Sequence, residues 1–284
     1  DIHVHMGDIF LGRNVSFRTF QPRPEELDDH FAENGRRGFN FTVVGKTPAE
    51  LEHRMRQGQR RLACATLENI GRSMDEEGVA YSALMPVYPY TGFEEYLAAS
   101  GLDTRMIPFS SPDFSLPADR MVEKLKRDIA RGARGLKIHS VLQNVKMNDP
   151  RTRAAVEVFG RAGLPGMFHI GVSYYYLPEQ DAAYPSLPEA GAIEDFFELA
   201  RAFPDYPHCA NKYAVELAEG TKGLDNVYTD TTLCSAERML ESVERLGEDK
   251  VLFGTDYPFS SLHDALREVD RAFPEESPRK DRLL

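Results

Sequence analysis

No stretch of the chain approaches the roughly 18–20 apolar residues that a membrane-spanning helix needs, and the opening residues carry no signal-peptide pattern. A basic excess is also missing. The formal net charge of -11 at pH 7 argues against a nucleic-acid or anionic-membrane binder, since both need a basic face. Cysteine is scarce: Cys64, Cys209 and Cys234 form no CxxC pair. That excludes a disulfide scaffold and predicts free thiols and cytoplasmic residence. No G-x-G-x-x-G follows any strand-like run, which disfavours a doubly wound dinucleotide-binding sheet. No low-complexity tract or linker divides the 284 residues, 42% of them hydrophobic, so a single large domain over 1–284 is expected.

What is present is alternation. Strand-like runs at 83–87, 106–109, 135–139, 166–170, 226–230 and 251–256 are interleaved with helical patterns such as 118–131, 151–162 and 236–246. Strands separated by helices of that length imply βαβ units and a parallel sheet. Asp149-Pro150, Ser235 and the capping box Thr47-Pro48-Ala49-Glu50 mark helix starts. With the opening residues 1–5 as a further strand the count is seven. An eighth, between Ala202 and Ala210, completes an α/β fold of the (β/α)8 TIM-barrel type. That stretch contains Pro204 and Pro207, and proline cannot donate to a ladder, so it is the poorest strand of the set. The first unit is much longer than the rest. Residues 9–77, with Phe10, Phe17, Phe20, Phe31, Phe39 and Phe41 and two charged helices, read as a helical insertion after the first strand. It would either cover the barrel mouth or form an extra packing layer.

The chemistry-bearing residues fall at strand ends. His3 and His5 are two apart, so on a strand both point to one face. Lys137 and His139 repeat that spacing, and His169, Asp230 and Asp256 end later runs, with His208 near the poor strand. In a (β/α)8 barrel such positions converge on one pocket, and imidazoles with a carboxylate suit zinc, manganese or iron(II) better than calcium or magnesium. Asp230 reads as an outer hydrogen-bond partner rather than a ligand. Tyr174, Tyr175 and Tyr176 line an aromatic site, pack a lid or make a subunit contact. His30, His53 and His263 read as surface residues.

Five strings in order, Asp1-Ile2-His3-Val4-His5, Gly135-Leu136-Lys137-Ile138-His139, 164–171, 226–231 and Phe253-Gly254-Thr255-Asp256-Tyr257-Pro258-Phe259, resemble the amidohydrolase superfamily, in its amidohydrolase-related (amidohydrolase 2) branch. The resemblance implies one divalent metal, Zn2+ first with Mn2+ or Fe2+ as alternatives, held by His3, His5, His169 and Asp256. It also implies Asp256 as the proton-transfer residue, and His208 as the group that polarises or protonates substrate. The chain departs from the pattern around His208: only Tyr206 and Pro207 separate it from Phe203-Pro204-Asp205, and Cys209-Ala210-Asn211 follows where a glycine is usual. Lys137 and His139 are expected to bind a substrate carboxylate, or Lys137, carbamylated, to bridge two metals as in binuclear relatives. The implied activity is hydrolysis of an amide, ester or lactone of a small organic acid by a metal-activated water. The alternative is non-oxidative decarboxylation, and the contrasting class is a barrel that has lost catalysis. Some decarboxylase relatives carry an acid in place of the first histidine, so the intact pair leans toward hydrolysis. The expected partner is a small carboxylate-bearing molecule, with neither nucleic acid nor membrane, and nothing in the sequence opposes a homo-oligomer.

Overall fold

The computed structural model describes residues 1–40, 47–180, 182–211, 214–275 and 277–284, so Phe41 lies outside the described residues. Among the described residues seven short strands occur in chain order: β1 (Ser82–Leu84), β2 (Met106–Pro108), β3 (Leu136–Ile138), β4 (Gly166–Phe168), β5 (His208–Asn211), β6 (Val227–Asp230) and β7 (Val251–Leu252). Every strand pair is parallel and joins sequence neighbours. β1 and β2 form one sheet and β3 to β7 another. A parallel bridge from Ser110 to Leu136 joins the two.

The eighth stave is the opening segment, residues 2–5. Val4 bridges Leu84 on one side and Tyr257 on the other. Val4 N donates to Ala83 O (3.1 Å) and His5 N to Tyr257 O (2.8 Å), so the first segment fills the gap between β1 and the chain beyond β7. Closure removes the exposed edges, and the architecture is a (β/α)8 barrel.

Alternation sorts the side chains. Leu136, Ile138, Phe168, Ala210 and Val227 face outward and pack with Leu125, Phe159 and Leu199 of the surrounding helices. Ala83, Met85, Phe109, Met167 and Cys209 pack together inside the barrel. The connecting helices begin as their sequences direct. Asp149 caps Pro150–Arg161, Ser235 caps Ala236–Leu246, and Thr47 with Glu50 closes a capping box on Pro48–Leu62. The proline-flanked strand also forms. Pro207 contributes only its carbonyl, which accepts from Gly166 N (3.0 Å), and ladder donation starts with His208 N to Asn226 O (2.8 Å).

Within residues 9–77, a short 3-10 turn at Pro24–Glu26 precedes helices His30–Arg36, Pro48–Leu62 and Leu67–Glu77. The last packs Ile70 and Met74 against Val4 and Leu84, as the ordinary helix of the first βα unit does, so the added segment ends before it. The earlier part lies over the carboxyl ends of the strands. There Ile9, Phe10 and Leu62 pack with Val87, Leu142, Tyr176 and Phe259.

Candidate active site

His3 and His5 are both buried, and each is oriented by a partner on its Nδ1. His3 Nδ1 lies 2.8 Å from Asp230 Oδ2, on β6, and 3.2 Å from Thr232 Oγ1. His5 Nδ1 lies 2.7 Å from the Met85 carbonyl. A carbonyl oxygen only accepts, so His5 carries its proton on Nδ1 and its Nε2 lone pair is exposed; the carboxylate imposes the same tautomer on His3. Burial holds the His5 imidazole down to about 4, despite the Asp256 carboxylate beside it, so it is neutral at pH 7 and able to ligate. Asp256 Oδ1 stands 3.3 Å from His5 Nε2 and 3.7 Å from His3 Nε2. Donor atoms of His3, His5 and Asp256 all lie within 4.8 Å of one another.

The backbone around Asp256 is built for this approach. Its φ of +62° lies in the left-handed region, which aspartate tolerates better than most residues. Asp256 N donates to His3 O (2.8 Å), tying the two ligand-bearing segments together. A Cβ at Gly254 would stand 3.1 Å from the Cβ atoms of both His3 and Asp230, which explains the glycine before Thr255-Asp256. Asp1 completes the latch: its Oδ1 accepts from His3 N (3.0 Å) and from Thr255 N (3.1 Å), and its Oδ2 from Thr255 Oγ1 (2.6 Å).

Two imidazoles and one carboxylate, with space beside them, match the three-ligand pattern of a catalytic divalent metal site. The residues present fit such an ion.

His139 and His169 stand on the same cavity, their rings stacked at 3.9 Å and 8°. Their roles differ. His139 Nδ1 accepts from Leu142 N (3.3 Å); a backbone N–H only donates, so neutral His139 carries its proton on Nε2. Burial, then His169 and Lys137, keep it well below the usual histidine range. It is therefore a hydrogen-bond donor rather than a ligand. His169 Nε2 lies 3.0 Å from the Tyr175 hydroxyl, and the histidine is not among the three clustered donors.

Lys137 is fully buried, with Nζ 3.0 Å from His3 Nε2, so it stands beside the clustered donors rather than in the cavity wall. His208 requires a correction. It is the first residue of β5, opposite Gly166 and Val227, which begin their strands, and so sits at the amino end of the barrel. It also shares the outward parity of Ala210. Its ring packs against Tyr206 (4.8 Å) and Phe168 (5.3 Å), and its Nε2 lies 3.2 Å from Phe203 O. With period-two alternation, Cys209 takes the inward position instead. Burial pushes the Cys209 thiol well above its ordinary range.

The cavity measures about 240 Å³. His5, His139, His169 and Asp256 form its floor, and Phe10, Phe31, Phe259 and Tyr175 stand among its walls. Arg54, from helix Pro48–Leu62, also lines it, and no carboxylate among the described residues pairs with it. Sequence reasoning passed over Arg54 because that helix is densely charged. The only available signal was helical spacing, which sets Arg54 beside Leu51 and Gly58.

A closed parallel barrel with three metal-fitting donors at the carboxyl ends of its strands defines a class of TIM-barrel enzyme. The amidohydrolase family model matches residues 114–282, more than half of the chain, and the chain belongs to that family. A comparison with curated proteins finds no match. Among solved structures, the chain is similar to a dihydroxybenzoic acid decarboxylase from Polaromonas sp. JS666 with bound manganese and 2-nitroresorcinol. The two share 15% identity and a TM-score of 0.63, covering 99% of this chain and 93% of that one. It is also similar to 5-carboxyvanillate decarboxylase from Sphingomonas paucimobilis (18%, TM-score 0.60, covering 99% and 95%). A third similar structure is a probable 2-pyrone-4,6-dicarboxylic acid hydrolase from Acinetobacter baumannii with citric acid bound (11%, TM-score 0.57, covering 100% and 94%).

Proposed function

We propose that this protein is a metal-dependent, non-oxidative decarboxylase of a small aromatic carboxylic acid. The observation that carries this is the cavity wall: phenylalanine and tyrosine rings around an ionisable floor, with the Arg54 guanidinium among them. At about 240 Å³ the cavity is smaller than the roughly 300–1,000 Å³ of drug-sized pockets, and suits a single substituted ring. Decarboxylase activity in two of the structurally similar proteins adds support.

His3, His5 and Asp256 would hold the metal, manganese by analogy with the Polaromonas protein or zinc by donor type, and the ion would supply Lewis acidity toward anionic substrate oxygens. Arg54 offers paired N–H donors to a carboxylate, and His139 offers Nε2–H. Phe10, Phe31 and Phe259 keep water from the ring, so the carboxylate loses solvation as its charge spreads into the ring. Asp256, after taking up a proton from solvent, would pass it to the ring carbon as the bond to the carboxyl carbon breaks and return to the carboxylate. The electron pair of that bond stays on the ring and carbon dioxide leaves.

Hydrolysis of a lactone is the second reading, favoured by the intact His3/His5 pair. Incubating the manganese-loaded protein with dihydroxybenzoates, and separately with a pyrone dicarboxylate, decides between them. Carbon dioxide with the matching resorcinol or phenol is the expected result. Ring opening of the pyrone without carbon dioxide release from the benzoates would reverse the assignment.

A further inference from the structure

Arg61 is a fully buried arginine, and almost every buried arginine answers to a specific partner. Its Nε and Nη2 each lie 2.7 Å from a carboxylate oxygen of Asp29, itself buried, in a two-pronged pair. Its remaining arm, Nη1, donates to Pro258 O (2.8 Å), two residues beyond Asp256. Asp29 is anchored in turn, since its Oδ1 accepts from Ala32 N (3.0 Å) at the start of helix His30–Arg36. Aromatic rings reinforce the junction. The Arg61 guanidinium lies over the Phe31 ring (5.4 Å), Phe31 meets Phe259 (5.3 Å), and Phe259 stacks on Phe10 (5.6 Å). Gly58, one helical turn before Arg61, faces all three rings, and a Cβ there would stand in ordinary contact, 3.6–3.7 Å from each.

The turn that carries Asp256 is thus held from two sides. The barrel holds one side through Asp256 N to His3 O, and the turn is closed by Phe259 N to Asp256 O (2.8 Å). The added segment holds the other side through Arg61. Asp256 sits in a left-handed conformation, which a chain retains only where its surroundings fix it. We propose that Asp29 and Arg61 form a strut by which the added segment positions Asp256 as a metal ligand, making that segment part of the metal centre. This rests on the assignment of His3, His5 and Asp256 as the ligands. Arg61 and Asp29 are positioning residues: neither lines the cavity, and both act through the 256–259 turn.

The test is equilibrium manganese binding by the full chain, read by the electron paramagnetic resonance of the free ion, alongside thermal unfolding. Arg61→Lys keeps the charge, but a single ammonium cannot reproduce the fork to Asp29 and the third bond to Pro258 O. The strut predicts that Arg61→Lys weakens manganese binding at least about ten-fold, the scale of outer-sphere ligand support, in protein still folded at the assay temperature. Asp29→Asn, which leaves the Arg61 bond to Pro258 O available, predicts a smaller loss in the same direction and serves if Arg61→Lys does not fold. His208→Ala, at the opposite end of the barrel, is the control for general destabilisation and should lower the melting temperature without changing manganese affinity. Arg61→Lys and Asp29→Asn behaving like that control would overturn the strut while leaving the metal site intact. A wild-type chain that binds no manganese would overturn the ligand assignment, and the strut with it.

Discussion

Arg54 is where the substrate assignment is most exposed. A guanidinium offers two parallel donors to a carboxylate and an ammonium offers a point charge, so Arg54→Lys is not a neutral exchange. With a carboxylic acid as substrate, Arg54→Gln should raise KM at least about ten-fold, the equivalent of one charge-assisted hydrogen bond, and lower kcat far less. Steady-state kinetics on the best benzoate would show it, and an unchanged KM would remove Arg54 from the binding site. The histidines show why donor roles need a structure. His3, His5, His139 and His169 look alike as strand-end imidazoles, yet Met85 O frees Nε2 on His5 while Leu142 N places the proton on Nε2 of His139. One backbone atom decides whether each ring can ligate or donate, and no spacing in the sequence encodes it.

At the scale of elements, the strands, helices and caps that periodicity marks are present, because each has a local cause: Thr47, Asp149 and Ser235 supply the capping oxygens. His3, His5 and Asp256 could be grouped in the sequence through the ordered family strings, and they meet because the first and last staves adjoin once the barrel closes. His169, grouped with them there, lies beside Tyr175 instead, and the parts of Asp1 and Gly254 emerge only from the structure. β5 was harder. Its existence could be inferred from the count of eight, but its parity could not, and parity decides that His208 faces the helices and Cys209 the interior. His208 therefore belongs to packing. Replacing it by alanine should cost about 2–4 kcal/mol of stability, as large-to-small core changes do, measured by denaturant unfolding. Turnover at temperatures where the variant is folded should match wild type, and a lost kcat would return His208 to the catalytic machinery. The added segment was visible as surplus length rich in phenylalanine. Its contact with the 256–259 turn depends on tertiary approach of Gly58 and Arg61, which composition does not reveal.

For the whole molecule, burying imidazoles carries a cost in acid. His5 and His208 are each held at about 4 by burial, against an ordinary value of 6.5. Unfolding returns both to 6.5, so the unfolded chain binds more protons between those limits. Stability is full above pH 6.5 and falls as pH drops toward 4, by roughly 3 kcal/mol per group. Urea midpoints of the metal-free protein should therefore decline steadily from pH 6.5 to 4.5, and a flat profile there would mean the two imidazoles are not buried neutral. No helix among the described residues is long and apolar enough to cross a membrane.

The metal centre joins these scales, since it needs two tautomers, one strained aspartate and a closed barrel together. The most direct measurement is the metal content of the purified chain after equilibration with excess manganese and removal of free ion. One ion per chain is expected for the wild type, with loss of tight binding in both His5→Ala and Asp256→Ala. Two ions per chain, none, or one retained in those variants would contradict a single site built from His3, His5 and Asp256.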